Sequence, residues 1–592
     1  MFRLITRLQA WRYRLKARRA YIEFTDRLSK DSFQDPMIGR ELEALEKLTR
    51  GQSENAKEVL KIMASRLKKT PRPFKGIVKE VLSLLLLGFL ILVLNRQIVF
   101  EHQQIPTGSM RPTFFEMDRL IVSKTAFGIN NPFNYKPLSF DEDLVKRGQI
   151  VTFTSEGLAL TDQDVQYFGF FPGKKRLVKR LLAKGDDCVY FYGGHLWIVD
   201  AAGELHASSE FLEKPHDYIP FHHFFGHLEQ DPQGKLTSKH FQKTIFELQK
   251  GSWNLWKNQH PEKPTQPWGL HNYGMARLLT QEQAKTLVYM NASDLKANYY
   301  LDIAHHASLT PTALSFRDAA SPFYVYRTLL PLSNEHIKAL RRQLYTARFR
   351  VQGQKAYRYD FEKRLSGQGV VLPGVPDGLY EFYLGTAYAI KENGQRTALD
   401  ANHPLYQEAL TTTLFNSGVD WSPIYQFKES VSVLMPFRYV YFDEGNLKCL
   451  DAVLMEKEDP ALKRFMADEM TMKEATGGLY PSFTDEGKPS KEKIKQEGLQ
   501  LSASEVMLLG DNHAGSGDSR DFGLATYSHL QGSPFWRFWP LSSLQTGIDS
   551  PYRGFNRYDI TIWLLLGLFG FLFEKWRRWR FERAKAWVHT QK

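Results

Sequence analysis

At 592 residues the chain is too long for a single hydrophobic core, so two or more domains are expected. Its 43% hydrophobic and 24% charged residues exclude a largely disordered chain, and two cysteines, Cys188 and Cys449, whether free or bonded to each other, exclude a disulfide framework. A net charge of +13 admits nucleic acid or an anionic membrane as partner; the clustering of Lys and Arg beside apolar runs favours the membrane.

Residues 1–75 read as a basic, helical cytoplasmic arm, in which Arg3, Arg7, Arg12, Arg14, Lys16, Arg18 and Arg19 alternate with apolar residues. Residues 76–100 read as a transmembrane anchor. The charge-free run Val81–Leu94 spans roughly 21 Å as a helix, and flanking apolar residues extend it toward the roughly 30 Å of a bilayer core. Arg66, Lys68, Lys69, Arg72 and Lys75 place its N-terminal side in the cytoplasm, and no small-x-small cleavage site follows it. A second apolar run, Ile560–Phe573, lies within an expected second transmembrane helix at 558–576. The basic cytoplasmic tail 577–592 follows, with an interfacial helix as the alternative. Everything between the two runs is expected on the outer side.

Three segments carry chemistry. In Ile105–Lys124 (IPTGSMRPTFFEMDRLIVSK), Pro106, Gly108 and Pro112 form a turn around Ser109, and a strand follows from Leu120. In the second, Leu177–Leu182 reads as a buried strand bearing Lys179 and Arg180. Burial disfavours a charged amine; holding it neutral takes roughly 4 kcal/mol, and the neutral amine is a general base for a serine hydroxyl. In the third, a strand at Val506–Leu509 enters the loop GDNHAGSGDSRDFG. There Asp518 and Arg520 can pair, and Ser516 can hydrogen-bond an amine. The loop lacks the spacing of a calcium loop and the ending of a phosphate loop.

These boxes resemble those of bacterial type I signal peptidases: Gly108-Ser109-Met110-x-Pro112-Thr113, Asp118 with Lys124, Lys179-Arg180, and Gly510-Asp511-Asn512…Ser516-x-Asp518-Ser519-Arg520, in the family's order. The resemblance covers roughly residues 80–200 and 500–545. It implies Ser109 as nucleophile, Lys179 as general base, and an oxyanion hole made by the Ser109 N–H and the Thr107 hydroxyl. Ser516 would orient Lys179, and Asp518 and Arg520 would brace the site. The implied activity is removal of signal peptides from exported preproteins after small residues at −1 and −3, at the bacterial inner membrane with the catalytic domain periplasmic. The implied partners are preprotein signal peptides, anionic lipids at the basic flanks and the secretion machinery, without nucleic acid, metal or cofactor. The sequence departs from the family's pattern after Arg180, where the loop is one residue shorter and lacks its proline. It also departs at Met117, where glycine is usual, and at His513, where arginine is usual.

The fold class expected is a mainly β catalytic domain of signal-peptidase type with a large α+β insertion, anchored by one or two transmembrane helices. The catalytic β domain is assigned to 101–209 and, with additional inserted helices, to 371–550, with the insertion at 210–370. Hairpins are expected at Gly193-Gly194, within GLYEFYLGTAYAI turning at Asn393-Gly394, and around Glu444-Gly445-Asn446. Helices are expected at Gln281–Tyr289, Asn334–Ala347, Pro404–Phe415 and Pro460–Glu469. The histidines of HHFFGH (His222, His223, His227) and His305-His306 lack a carboxylate pattern and read as ordinary rather than metal-binding. A catalytically silent membrane receptor or assembly factor, binding a partner through the insertion, is the competing function.

Overall fold

A computed structural model describes residues 2–26, 36–50, 55–69, 99–131, 136–158, 164–167, 171–212, 273–287, 295–305, 326–360, 368–421, 438–450, 452–475, 483–540 and 548–591. A few single positions within these stretches are excepted, and short segments are described elsewhere. The chain divides into two compact units, Met1–Asn95 with Asn556–Lys592, and Arg96–Phe555.

The first unit is helical. Helices α1 (Phe2–Thr25), α2 (Pro36–Arg50), α3 (Ala56–Lys69) and α4 (Arg557–Gln591) enclose a small core of Tyr21, Phe24, Leu42, Leu45, Leu48, Met63, Phe581 and Val588. Ion pairs from Arg18 to Glu574 (3.1 Å) and from Lys585 to Glu46 (2.7 Å) tie the N-terminal arm to the C-terminal tail. The expected boundary at 576/577 falls inside α4, which continues unbroken through it. Upstream of that point α4 exposes Leu564, Leu565, Leu568, Phe569, Phe571 and Leu572, each more than half accessible. No helix among the described residues is long and apolar enough to cross a membrane. The anchor expected at 76–100 lies outside the described residues except for Leu82, Leu85, Val99 and Phe100.

The second unit is mainly β. One part is a seven-stranded antiparallel sheet of β1 (Phe100–Gln104), β2 (Arg119–Ser123), β3 (Ile150–Thr154), β4 (Arg176–Ala183), β5 (Glu505–Leu509), β6 (Ala525–Thr526) and β7 (Leu530–Trp539). The strand order is β1-β2-β7-β3-β4-β5-β6. Strands from the two ends of the sequence therefore intermix, with β7 between β2 and β3, and β4 sits between β3 and β5. It is buried on both faces from Val178 to Ala183, matching the continuous apolar run read in the sequence apart from Lys179 and Arg180. A four-stranded sheet beside it contains the expected Gly193-Gly194 hairpin, both glycines having positive φ. Cys188 and Cys449 are both buried free thiols.

Two six-stranded sheets form the insertion around one core that includes Leu278, Leu301, Phe349, Phe382, Trp421 and Phe442. One sheet joins strands at 273–332 to strands at 439–455; the other runs from Phe349 to Ala398. The boundary expected at 370 falls inside this second sheet, so residues on both sides of it share one core. The helix beginning at Gln281 has its expected capping box, Thr280 Oγ1 accepting from the Gln283 N–H, but ends at Lys285. The helix starting at Asn334 ends at Gln343, and that starting at Pro460 extends to Ala475. The stretch from Pro404 breaks into two 3₁₀ turns before a helix at Thr411–Ser417.

A buried charge cluster fastens this insertion to the turn that carries Ser109. Arg111 reaches Glu116 (2.5 Å) and Glu381 (2.8 Å), Arg348 reaches Glu381 (2.9 Å) and the Glu116 carbonyl (2.7 Å), and Arg396 reaches Glu381 (3.3 Å). Burial alone raises the Glu381 carboxyl, but Arg111, Arg348 and Arg396 outweigh it and hold the group at about 2. A carboxyl depressed by folding stabilises the native state above its ordinary value of 4.5 and loses that contribution as pH falls toward about 2. Glu381→Gln is therefore expected to cost about 3–5 kcal/mol near neutrality. The gap to wild type should close between pH 4.5 and about 2 in denaturant titrations. A gap that stays constant over that range rules the cluster out as the source.

Candidate active site

Ser109 lies in a 3₁₀ turn, Gly108–Met110, between β1 and β2, and is partly exposed. Thr107 Oγ1 stands 3.5 Å from Ser109 Oγ. The Ser109 carbonyl accepts from the Asn512 N–H (3.1 Å), and the Asn512 side chain donates to the Gly108 carbonyl (3.1 Å). The turn is thus held by the loop that follows β5.

That same loop holds Lys179. The lysine extends from the middle of β4, is 4% exposed, and donates to Ser516 Oγ at 2.9 Å. Gly510 lies between the two contacts. A Cβ there would come within 2.5 Å of the Ser109 carbonyl and 2.1 Å of Ser516 Oγ, so only glycine lets the two serines approach this closely. Asp518 accepts from the Gly510 N–H (3.0 Å) and forms a two-point pair with Arg520, at 2.9 and 2.7 Å. Asp518 and Arg520, expected as a brace, thus contact each other and the Gly510 backbone.

The neighbouring residue on β4 closes the loop from the other face of the strand. Arg180, 1% exposed, makes a bidentate pair with Asp511 (2.8 and 2.7 Å) and also donates to the carbonyls of Gly148 and Asp549, both at 2.7 Å. Thr113 Oγ1 donates to the same Asp511 carboxylate. Asp118 accepts from the Phe115 N–H (3.0 Å) and from Arg537 (3.3 Å); burial raises its carboxyl and Arg537 only partly offsets this. Lys124 is buried beside Glu101 (3.5 Å), which also pairs with Arg176 at 2.5 Å. The motif positions Thr113, Asp118, Lys124, Arg180 and Asp511 are therefore scaffold for the turn, the strand and the loop.

Residues 78–253 match the family model described as signal peptidase, peptidase S26. Over this stretch the chain is similar to signal peptidases of the S26 family. A signal peptidase I from Buchnera aphidicola subsp. Schizaphis graminum (strain Sg) is 39% identical over 72 residues, which are 12% of this chain and 23% of that protein. The alignment thus covers less than a quarter of the relative's length.

Met117 has φ +75°, the left-handed region that a glycine occupies without strain. Flanking backbone bonds, Met117 N–H to the Ile105 carbonyl and Ile105 N–H to the Asp118 carbonyl (both 2.9 Å), hold it there. Sequence reasoning did not find Asn512, which the turn needs, nor Arg111, Glu116, Arg348 and Glu381. Asn512 stood inside a quoted motif, whereas nothing local to Glu381 marks it. His222 and His223 lie outside the described residues, and among the described residues no group of His, Cys, Asp and Glu could hold a metal ion.

Gly510→Ala should destabilise the second unit by about 1–3 kcal/mol in denaturant unfolding, because the Ser109 carbonyl and Ser516 must both move. An unchanged unfolding midpoint rejects the close packing described for Gly510.

Proposed function

We propose that the protein is a membrane-bound serine endopeptidase that removes signal peptides, with Ser109 as nucleophile and Lys179 as general base. The observation carrying this reading is that one loop binds both groups: Asn512 holds the Ser109 carbonyl and Ser516 binds the buried Lys179 amine. A serine attacks only if its proton has somewhere to go, and an amine accepts it only while neutral and correctly oriented.

In the proposed sequence, Lys179 takes the hydroxyl proton as Ser109 Oγ adds to the scissile carbonyl. The Ser109 N–H and the Thr107 hydroxyl receive the oxyanion. Collapse of the tetrahedral adduct breaks the peptide bond, and Lys179 returns the proton to the leaving amine. Water, deprotonated by the same lysine, then adds to the ester and releases Ser109. Substrates are preproteins with small residues at −1 and −3.

Membrane attachment is part of the same proposal. Residues 81–94 form a charge-free run bounded by basic residues. On α4 a run of leucines and phenylalanines stands exposed, with Trp576 and Trp579 exposed after it. Because α1, α2 and α3 share a core with α4, both tails belong on one side of the bilayer, which the basic flanks make the cytoplasmic side. The catalytic body then faces the outer compartment, where cleavage sites emerge.

Cleavage of a model preprotein by the detergent-solubilised full chain tests the reading. Wild type is expected to cut after a small-x-small site. Ser109→Ala and Lys179→Ala should lose about 10³-fold or more in kcat/KM while remaining folded. Ser516→Ala should lose about tenfold to a hundredfold, since the amine survives without its partner. Mutants as active as wild type overturn the dyad; an inert wild type favours the receptor function.

A further inference from the structure

Beside the Ser109 turn lies a cleft of about 550 Å3, counting its solvent-open space. Arg111 and Pro112 of the turn and Asp511 and Asn512 of the loop form its inner wall, so it is continuous with the groups that hold Ser109. The insertion forms its outer wall with Gln343, Tyr345, Tyr383, Leu384 and Leu450, and with Phe115 the lining is mostly apolar, Gln343 being the polar group of that wall. Arg111 and Asp511 are already committed, to Glu116 with Glu381 and to Arg180, and so present no unpaired charge to an occupant.

The backbone gives a second, independent sign. Leu384 has φ +48° and Leu450 φ +56°, and among the described residues these are the two leucines with positive φ. Leu384 and Gly385 are the two central residues of a hairpin turn, with Tyr383 paired to Thr386 across it. A two-residue turn with positive φ at both positions favours Asn-Gly. Leucine there is strained, and at 45% exposure it gains little burial in return. Its neighbour Tyr383 packs edge-on against Phe115 (ring centroids 5.6 Å apart), and Arg396 lies over the Phe115 ring at 4.0 Å, so the hairpin tip is fixed against the turn. A strained leucine at the mouth of an apolar cleft next to the nucleophile is explained by contact with an occupant.

We propose that this cleft is a specificity subsite, contributed by the insertion, that takes one apolar side chain of the preprotein near the cut but outside the small residues at −1 and −3. The proposal rests on the peptidase reading. Leu384 is a specificity-determining residue that forms the lip of the subsite and takes no part in the chemistry.

The test is a panel of preproteins in which each residue flanking the cut is changed singly from leucine to serine, cleaved by the full chain as wild type, Leu384→Asn and Leu384→Gly. Both variants suit the turn and are expected to unfold at or above the wild-type midpoint. Wild type should show about a tenfold loss in kcat/KM for serine at one flanking position, the size expected of an apolar pocket. In both variants that loss should fall below about twofold, while the serine substrate is cut as by wild type. Discrimination that survives in folded Leu384→Asn and Leu384→Gly overturns the subsite and leaves the peptidase reading intact, as does a wild type that cuts every substrate equally. A wild type that cuts none of them removes the peptidase reading and the subsite with it.

Discussion

The buried pair between Arg180 and Asp511 fixes the rest of the site. Successive residues of a strand point to opposite faces, so Lys179 and Arg180 cannot serve the same side of β4. Arg180 engages Asp511 on one side, and the loop continues from Asp511 through Asn512 to Ser516, which meets Lys179. The two-point geometry fixes the start of the loop in both position and orientation. From that start Asn512 reaches back to the Ser109 carbonyl. Ser109 between β1 and β2 and Lys179 on β4 are thus both held by a third segment more than 300 residues farther along the chain.

The insertion adds a second fixed point on the opposite flank of the same turn. Two arginines, Arg111 and Arg348, and two carboxylates are buried together there beside the half-buried Arg396, with the Thr346 and Glu116 carbonyls accepting from Arg111 and Arg348. Such a cluster gains little net stability, because desolvation offsets most of the attraction. What it gives is geometry, since each member is satisfied in one arrangement and unsatisfied in most others. Arg111 is two residues from Ser109, so the insertion acts on the nucleophile turn through one short piece of backbone. The insertion is therefore part of the frame around Ser109.

The residues proposed for the site were easier to single out in the sequence than the fold. Ser109, Lys179 and Ser516 sit in short boxes whose chemistry is local, and β4 announced itself as an apolar run interrupted by two cations. The scaffold was half visible: Asp511 and Arg180 stood in the boxes, but their pairing across 331 residues has no local signature. Glu381 is 270 residues from Arg111 and resembles any other glutamate in a strand. Turn chemistry gave mixed results. Gly193-Gly194 and Glu444-Gly445 turn as read, while Asn393-Gly394 sits in the next connection, between the strands Thr386–Ile390 and Arg396–Ala398. The turn within GLYEFYLGTAYAI falls at Leu384-Gly385, where leucine gives no turn signal. The boundary at 370 failed for a related reason: short antiparallel strands look alike on either side of it, and only pairing tells which sheet each one joins.

Three of the seven non-glycine residues with positive φ among the described residues lie where the insertion meets the Ser109 turn. Met117 sits at the end of the turn, and Leu384 and Leu450 sit on the facing wall, all with φ between +48° and +75°. A bulky side chain in that region costs of order 1 kcal/mol. Met117 is held by paired backbone bonds to the Ile105–Asp118 segment, and Gly394 of the insertion approaches it so closely that a Cβ there would stand 3.3 Å from the Met117 Cβ. The strain at Met117 thus has an identifiable restraint on each side, from the catalytic sheet and from the insertion. Strain so restrained cannot relax by rotating one bond, because each relaxation breaks a contact in the other half of the unit. The turn carrying Ser109 is consequently held by contacts from two sheets, the seven-stranded one and that of the insertion.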